Sequence, residues 1–321
     1  MSAVPPPAFP ASPSFPEGFR SGFACFVGRP NAGKSTLTNA IVGQKIAITS
    51  SKPQTTRHVI RGVLIRPDAQ LILVDTPGLH RPRTLLGERL NDLVHETWAE
   101  VDVIGVCLPA SQRIGPGDTY LVREIAELPR RPKLIALATK SDLVSPVRMA
   151  EHLVRIQKME EELGIRWEAM IPVSAVAGDQ VDDVTDEIVK LLPEGPPLYP
   201  EDALTDESDE TRVAELIREA ALEGVRDELP HSIAVVIDEM GLREGRPEKK
   251  PLMDIYASIV VERDSQKGII IGHKGARLRE VGADARAQIN ALLGMPSYLS
   301  LKVKVMKDWQ RDPKQLNRLG F

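Results

Sequence analysis

The 321 residues predict a chain of two units: a doubly wound α/β sheet, then a smaller α+β unit. Three observations carry that expectation. A glycine-rich loop, Gly28-Arg29-Pro30-Asn31-Ala32-Gly33-Lys34-Ser35, stands between a short apolar run and a helical one. Further continuous apolar runs follow, each ending in polar residues, as strands buried on both faces do. Beyond residue 192 a proline-rich stretch leads into a different pattern of strands and helices around a second glycine pair.

The first strand is Phe23-Ala24-Cys25-Phe26-Val27, and residues 35–42 form the helix after the loop, with Leu37, Ala40 and Ile41 on one face. Between them the loop fits G-x-x-x-x-G-K-[ST]. Glycines at 28 and 33 let the backbone curl so that successive N–H groups face a phosphate chain. Lys34 is placed to reach the β- and γ-phosphates and Ser35 to ligate Mg²⁺, while the helix beginning at Ser35 and Thr36 adds its partial positive charge.

The next buried run, residues 71–75, ends in Asp75 and continues Thr76-Pro77-Gly78, a D-x-x-G pattern. Asp75 is expected to hold Mg²⁺ through water, and the Gly78 N–H to meet the γ-phosphate. Residues 133–138 form another buried strand, followed by Thr139-Lys140-Ser141-Asp142, which resembles the Asn-Lys-x-Asp guanine motif of GTPases. A carboxylate at 142 accepts from both the ring N–H and the exocyclic amine of guanine, a donor pair that adenine lacks. Thr139 replaces the usual asparagine, a variant that some GTPases share. Ser174 and Ala175 close the set as the last base-contacting loop. GTP and GDP are the nucleotides this order selects.

Between the phosphate loop and Asp75 lies a polar stretch, residues 49–58, broken by Pro53. It reads as a switch that orders with the γ-phosphate and Mg²⁺. Thr56 is favoured as the further metal ligand, with Thr55 the alternative. Leu79 occupies the position where Ras-like enzymes carry a water-orienting glutamine, so catalysis rests on charge stabilisation by Lys34, Mg²⁺ and backbone donors, or on something added.

Residues 194–210, proline-rich and then acidic, read as a linker between a first unit at 21–193 and a second at 211–321. In the second, Val213, Leu216, Ile217, Ala220 and Ala221 make a helical face. Residues 232–238 and 255–261 read as strands joined by a charged loop at 240–250. Gly272-His273-Lys274-Gly275 then follows an apolar turn and precedes a helix containing Arg277, which runs to about residue 293, and residues 298–305 form a closing strand. The order α-β-β-α-α-β, with G-x-x-G between the central helices, is that of a type II KH domain. Its glycines admit a nucleic-acid backbone, His273 and Lys274 supply donors to the phosphates, and Arg277 joins the RNA-binding set. Residues 211–321 hold 19 basic and 16 acidic side chains, a net +3 that leaves −7 for residues 1–210. A basic unit on an acidic chain points to single-stranded RNA; without a recognition helix or zinc motif, DNA is not expected.

Taken together, the Gly-x-Pro-Asn-x-Gly-Lys-Ser loop, Lys52-Pro53-Gln54-Thr55-Thr56-Arg57, Asp75-Thr76-Pro77-Gly78 and the KH unit are similar to the Era family, bacterial GTPases of small-subunit maturation. The likeness runs from about residue 21 to the stretch from Trp309 to Phe321. It implies binding of the 3′ end of 16S rRNA within the 30S precursor, GTP-gated RNA affinity and peripheral association with the inner membrane. It also implies that Asn31 holds a K⁺ ion acting much as an arginine finger would, with slow, K⁺-stimulated hydrolysis. Two functional readings stay open: a GTPase whose hydrolysis times release, and an RNA chaperone that merely uses bound GTP to hold one conformation. A third, a tRNA-modification GTPase, is disfavoured by the KH unit and by the absence of a cysteine after the first unit.

Composition sets the remaining bounds. Two cysteines, Cys25 and Cys107, fall in buried strands, suiting a reducing cytoplasm and no disulfide. The six histidines lack metal-ligand spacing. No apolar run reaches the ~18–20 residues of a membrane span. Residues 1–20 are expected to be disordered and not to form a signal peptide. One phosphate loop and no repeat exclude double-G-domain relatives, and a monomer is expected.

Overall fold

The computed structural model describes residues 15–49, 56–79, 82–223, 225, 232–247 and 249–321. Residues 1–14, the segment 50–55 that contains Thr55, His80 and His231 lie outside the described residues. In chain order the first part holds β1 (Arg20–Val27), α1 (Lys34–Val42), β2 (Ile60–Ile65), β3 (Ala69–Asp75), α2 (Leu85–Glu100), β4 (Val103–Cys107), α3 (Pro116–Ala126), β5 (Lys133–Thr139), α4 (Pro146–Leu163), β6 (Trp167–Val173) and α5 (Val181–Leu191). The second holds α6 (Asp209–Leu222), β7 (Ala234–Leu242), β8 (Met253–Val261), α7 (Asp264–Ile271), α8 (Ala276–Leu293), β9 (Ser297–Val305) and α9 (Pro313–Arg318).

The six strands of the first part are ordered β2-β3-β1-β4-β5-β6, with β2 antiparallel to β3 and the other pairs parallel. Strand alternation sorts the apolar residues between two layers. Ala24 and Phe26 of β1 pack with α1 and α5, whereas Cys25 and Val27 pack with α2, α3 and α4. From central β1 the sheet is filled on one side by β3 and on the other by β4. The crevice at the carboxyl ends of these strands is where an open α/β sheet receives a ligand.

In the second part β7 pairs antiparallel with β8, and β8 parallel with β9. Helices α6 and α8 cover this three-stranded sheet through Val213, Ile217, Ala221, Val281, Ala285 and Ile289. Two details differ from the sequence expectation. Strand β7 continues to Leu242 because a register shift between Ile237 and Glu239 preserves pairing as far as Leu242↔Met253. The apolar residues Ile269, Ile270 and Ile271 are helical, not a turn, since Gln266 Oε1 accepts from the N–H groups of Glu262 and Arg263 at 2.9 and 3.1 Å and starts α7 upstream of them.

Cys25 and Cys107 are both buried and unpaired. Burial pushes both thiols up, Cys107 to about 12, so neither is nucleophilic at neutral pH. Among the described residues no helix is long and apolar enough to cross a membrane, and no His/Cys/Asp/Glu group has metal-site geometry.

Candidate functional site

The phosphate loop sits at the carboxyl end of β1 and is shaped by contacts that exclude larger residues. A Cβ on Gly28 would stand 2.7 Å from the Cys107 carbonyl oxygen and 3.0 Å from Ala32 Cβ. Gly33 adopts φ +97° and Asn31 φ +61°, so the chain reverses hand twice before α1 begins. Lys34 folds back along this loop, its Nζ donating to the carbonyls of Gly28 at 3.2 Å and Arg29 at 3.4 Å. Burial lowers the Lys34 pKa, against the pull of Asp75. Arg29 turns away from the phosphate concavity: its Nε pairs at 2.7 Å with Asp118 of α3, and its Nη2 donates to the Arg113 carbonyl. Its side chain therefore braces the loop against α3, leaving only its backbone to face a phosphate.

Ser35, Thr56 and Asp75 converge. Ser35 Oγ donates to Asp75 Oδ2 at 2.9 Å, Thr56 Oγ1 donates to the same oxygen at 3.0 Å, and the two hydroxyls lie 3.2 Å apart. Asp75 Oδ1 is buried with no hydrogen-bond partner among the described residues. Burial raises the Asp75 pKa despite Ser35, Lys34 and Thr56, so the carboxylate is under-compensated. Two hydroxyls, a buried carboxylate and an orphaned oxygen make a hard-oxygen set suited to Mg²⁺. Thr76, Pro77 and Gly78 continue from Asp75, and a Cβ on Gly78 would lie 3.6 Å from Lys34 Nζ. Leu79 is partly buried against the α2–α4 layer, so no polar group takes the glutamine position.

Thr139, Lys140, Asp142, Ser174 and Ala175 line one cavity of about 60 Å³ with Gly33 and Thr36. Lys140 adopts φ +59°, which turns the chain out of β5 and places Asp142 in the next short turn. Ser174 is held by its N–H to the Asp179 carbonyl at 3.1 Å. Thr139 has a task that its spacing did not reveal: its buried hydroxyl donates to the Ala32 carbonyl at 2.7 Å, tying the base side of the cleft to the phosphate loop.

In the second part Gly272 (φ +69°) and Gly275 (φ +76°) flank exposed His273 and Lys274. A Cβ on Gly272 would lie 2.6 Å from Arg277 Cβ, so the loop closes only with glycine there. Ile269, 56 % exposed, stands beside it as an apolar surface. Arg277 departs from the sequence expectation. Its guanidinium pairs with Glu280 at 2.7 Å and donates to the carbonyls of Ala220 and Glu223, joining α8 to the end of α6 rather than facing solvent. The i,i+3 spacing of Glu280 makes this intrahelical pair reachable.

The comparisons with known proteins agree with this geometry. A family model described as "50S ribosome-binding GTPase" matches residues 23–140, and a KH-domain model matches residues 228–310. A GTPase Era of Nocardioides sp. is 67% identical over 94% of this chain and 96% of its own length. The chain belongs to the Era family of GTPases. A GTPase Era of Streptomyces coelicolor is 66% identical over 94% of this chain and 95% of its own. Among solved structures, Era in complex with MgGDPNP and nucleotides 1506–1542 of 16S ribosomal RNA superposes with TM-score 0.88 at 36% identity, covering 94% of this chain and 99% of that one.

Several residues of this Era-family site escaped the sequence reading. Arg57 is buried at 1% exposure, inside the contact with the KH unit. Burial, then Arg218, draws its pKa down to about 9, against Glu215 and Glu262. Asn39 on α1 shapes the entry to the switch by accepting from the Ile46 and Ala47 N–H groups at 3.0 and 2.9 Å. Asp118, buried at 1%, accepts Arg29 and also the Gly115 N–H. Arg57 closes the Lys52–Arg57 string without its spacing showing a role, and Asn39 and Asp118 belong to no spaced motif, so only tertiary contact reveals what the three do.

Proposed function

We propose that this chain is a GTP-gated RNA-binding GTPase that binds the 3′ end of 16S rRNA during 30S subunit maturation. Residues 21–193 are its G domain, 194–210 its linker and 211–321 its KH domain. The observation that carries the gating is the meeting of Thr56 with Ser35 and Asp75. Thr56, which lies outside any helix or strand, joins the metal set, so γ-phosphate binding and switch conformation are linked. Support for the RNA comes from the Era structure solved with MgGDPNP and 16S nucleotides, which this chain matches along nearly its whole length.

Ser35, Thr56 and Asp75 would hold Mg²⁺, which when bound would neutralise phosphate charge. Backbone N–H groups from Gly28 to Ser35 cradle the phosphates and Gly78 meets the γ-phosphate. Lys34 leaves its carbonyl partners for phosphate oxygens and stabilises the charge that builds as the bond to the leaving oxygen breaks. Asp142 reads guanine, with Lys140 along the base and Ser174 and Ala175 on its carbonyl edge. With Leu79 at the glutamine position the rate is slow, and Asn31 would hold K⁺, which would supply positive charge there. Turnover in K⁺ buffer should therefore exceed turnover in Na⁺ buffer at equal ionic strength by about tenfold or more; equal rates would remove K⁺ from the mechanism.

His273 and Lys274 are the phosphate-facing groups of the KH loop, and the Ile269 side of the groove receives bases. Replacing both by aspartate should weaken binding to the single-stranded 3′ end of 16S rRNA and reduce its log–log salt slope by about one to two units. Unchanged affinity would place the RNA elsewhere. Measuring this affinity with GDP and with GDPNP, and turnover with and without RNA, separates the two functional readings. Tighter binding with GDPNP and faster turnover with RNA mark a timed release; nucleotide-dependent binding with turnover unmoved marks a chaperone. The protein acts in the cytoplasm as a monomer, with part of it on the inner face of the membrane.

A further inference from the structure

The residue that follows Thr56 is anchored outside the nucleotide site. Arg57 Nη1 donates to the Ile233 carbonyl at 2.6 Å, and its Cζ lies 5.8 Å from the centre of the Trp309 ring. Trp309, fully buried, donates from Nε1 to the neighbouring Ser232 carbonyl at 3.2 Å and stacks on Phe321 at 5.9 Å and 23°. Phe321 stacks in turn on His58 at 4.9 Å and 15°. Consecutive residues 57 and 58 thus grip two aromatic rings that the KH unit positions from the entry to β7.

Further contacts hold the same joint. Upstream of the switch, Ile48 is buried in the KH core, and Glu219 of α6 accepts from the Thr49 N–H at 2.8 Å and from Lys45 at 2.5 Å. On the α2 side, Leu86 and Leu90 share a core with Trp309 and Leu316, and Arg89 donates to Asn317 Oδ1 at 2.8 Å and to the Phe321 carbonyl at 2.6 Å.

We infer that Arg57 is a positioning residue for GTP hydrolysis: seated on Ile233 and Trp309, it holds the Thr56 hydroxyl in the Mg²⁺ site, which is complete only while the KH unit is docked. The inference rests on the proposed role of Thr56. Adjacent Cα atoms are fixed about 3.8 Å apart across a planar peptide. Thr56 therefore cannot move far from Asp75 without disturbing a charge-assisted hydrogen bond in a buried setting. Arginine suits the task because its planar fork can stack on a ring while its in-plane N–H groups donate to a carbonyl. By linkage, Mg²⁺·GTP tightens the docking, and whatever shifts the KH unit changes hydrolysis.

The test uses the full chain with Arg57→Gln, with Trp309→Leu on the opposite side of the contact, and with Thr56→Ala as benchmark. GDPNP affinity is measured across a Mg²⁺ series, alongside GDP affinity and single-turnover hydrolysis. The expected result is that both joint variants raise the Mg²⁺ needed for half-maximal GDPNP binding and slow turnover, each by about tenfold, as for loss of one charged hydrogen bond. GDP, which has no γ-phosphate to order the switch, keeps its affinity. Wild-type Mg²⁺ dependence and turnover in both variants would overturn the inference. So would a parallel fall in GDP affinity, which would make Arg57 a general support of the G domain. A normal Mg²⁺ requirement in Thr56→Ala would instead remove Thr56 from the metal site, and the inference with it.

Discussion

Lys34→Ala lowers GTP turnover by about a hundredfold to a thousandfold and abolishes the difference in RNA affinity between GDP and GTP states. The Lys34 ammonium is enclosed by the Gly28 and Arg29 carbonyls, and among the described residues no other cation is hydrogen-bonded to the loop's interior. Arg29 is committed to Asp118, so it does not substitute. The KH unit keeps its fold in this variant, because its core of Val213, Ile217, Ile255, Ile259, Val281 and Ile289 contains no residue of the phosphate loop. Stopped-flow phosphate release and a filter assay with the rRNA fragment check both halves of the expectation. Normal turnover would overturn the assignment of the loop.

Asp142→Asn converts the base preference from guanine to xanthine. The carboxylate accepts two hydrogens from guanine, whereas an asparagine amide presents one acceptor and one donor, matching the ring N–H and 2-carbonyl of xanthine. Losing a charged acceptor for two buried donors costs about 3 kcal/mol or more, so GTP affinity falls by at least about a hundredfold. Asp142 lines the same cavity as Thr139, Lys140, Ser174 and Ala175, so the substitution acts at the base. XTP hydrolysis near the wild-type GTP rate, with GTP hydrolysis restored only at high concentration, is the outcome that checks it. Retained GTP preference would place the guanine contact on another residue.

Much of the G domain was legible because each of its motifs is a short contiguous string read against a strand end. The loop at 28–35 and the Asp75–Gly78 turn follow buried runs, so the sequence placed their backbone as well as their side chains. The KH order was legible for the same reason, although Arg277 was not: its place just after the His273-Lys274 loop grouped it with the RNA-binding residues. The carbonyls of Ala220 and Glu223, brought over by α6, take its guanidinium instead. Thr139 looked like a departure from the guanine motif, and it is a strut from β5 to a carbonyl 107 residues away.

The sequence by itself determined the two folds and the places of the phosphate loop, the Asp75–Gly78 turn and the G-x-x-G loop at the ends of their elements. Each is written in residues close enough along the chain for local geometry to order them. Tertiary structure alone decided that Arg57 lies buried on Ile233, 176 residues away, with Trp309 and Phe321 drawn against residues 57 and 58. Such contacts follow from packing and desolvation between distant segments, which leave no period or spacing in the chain.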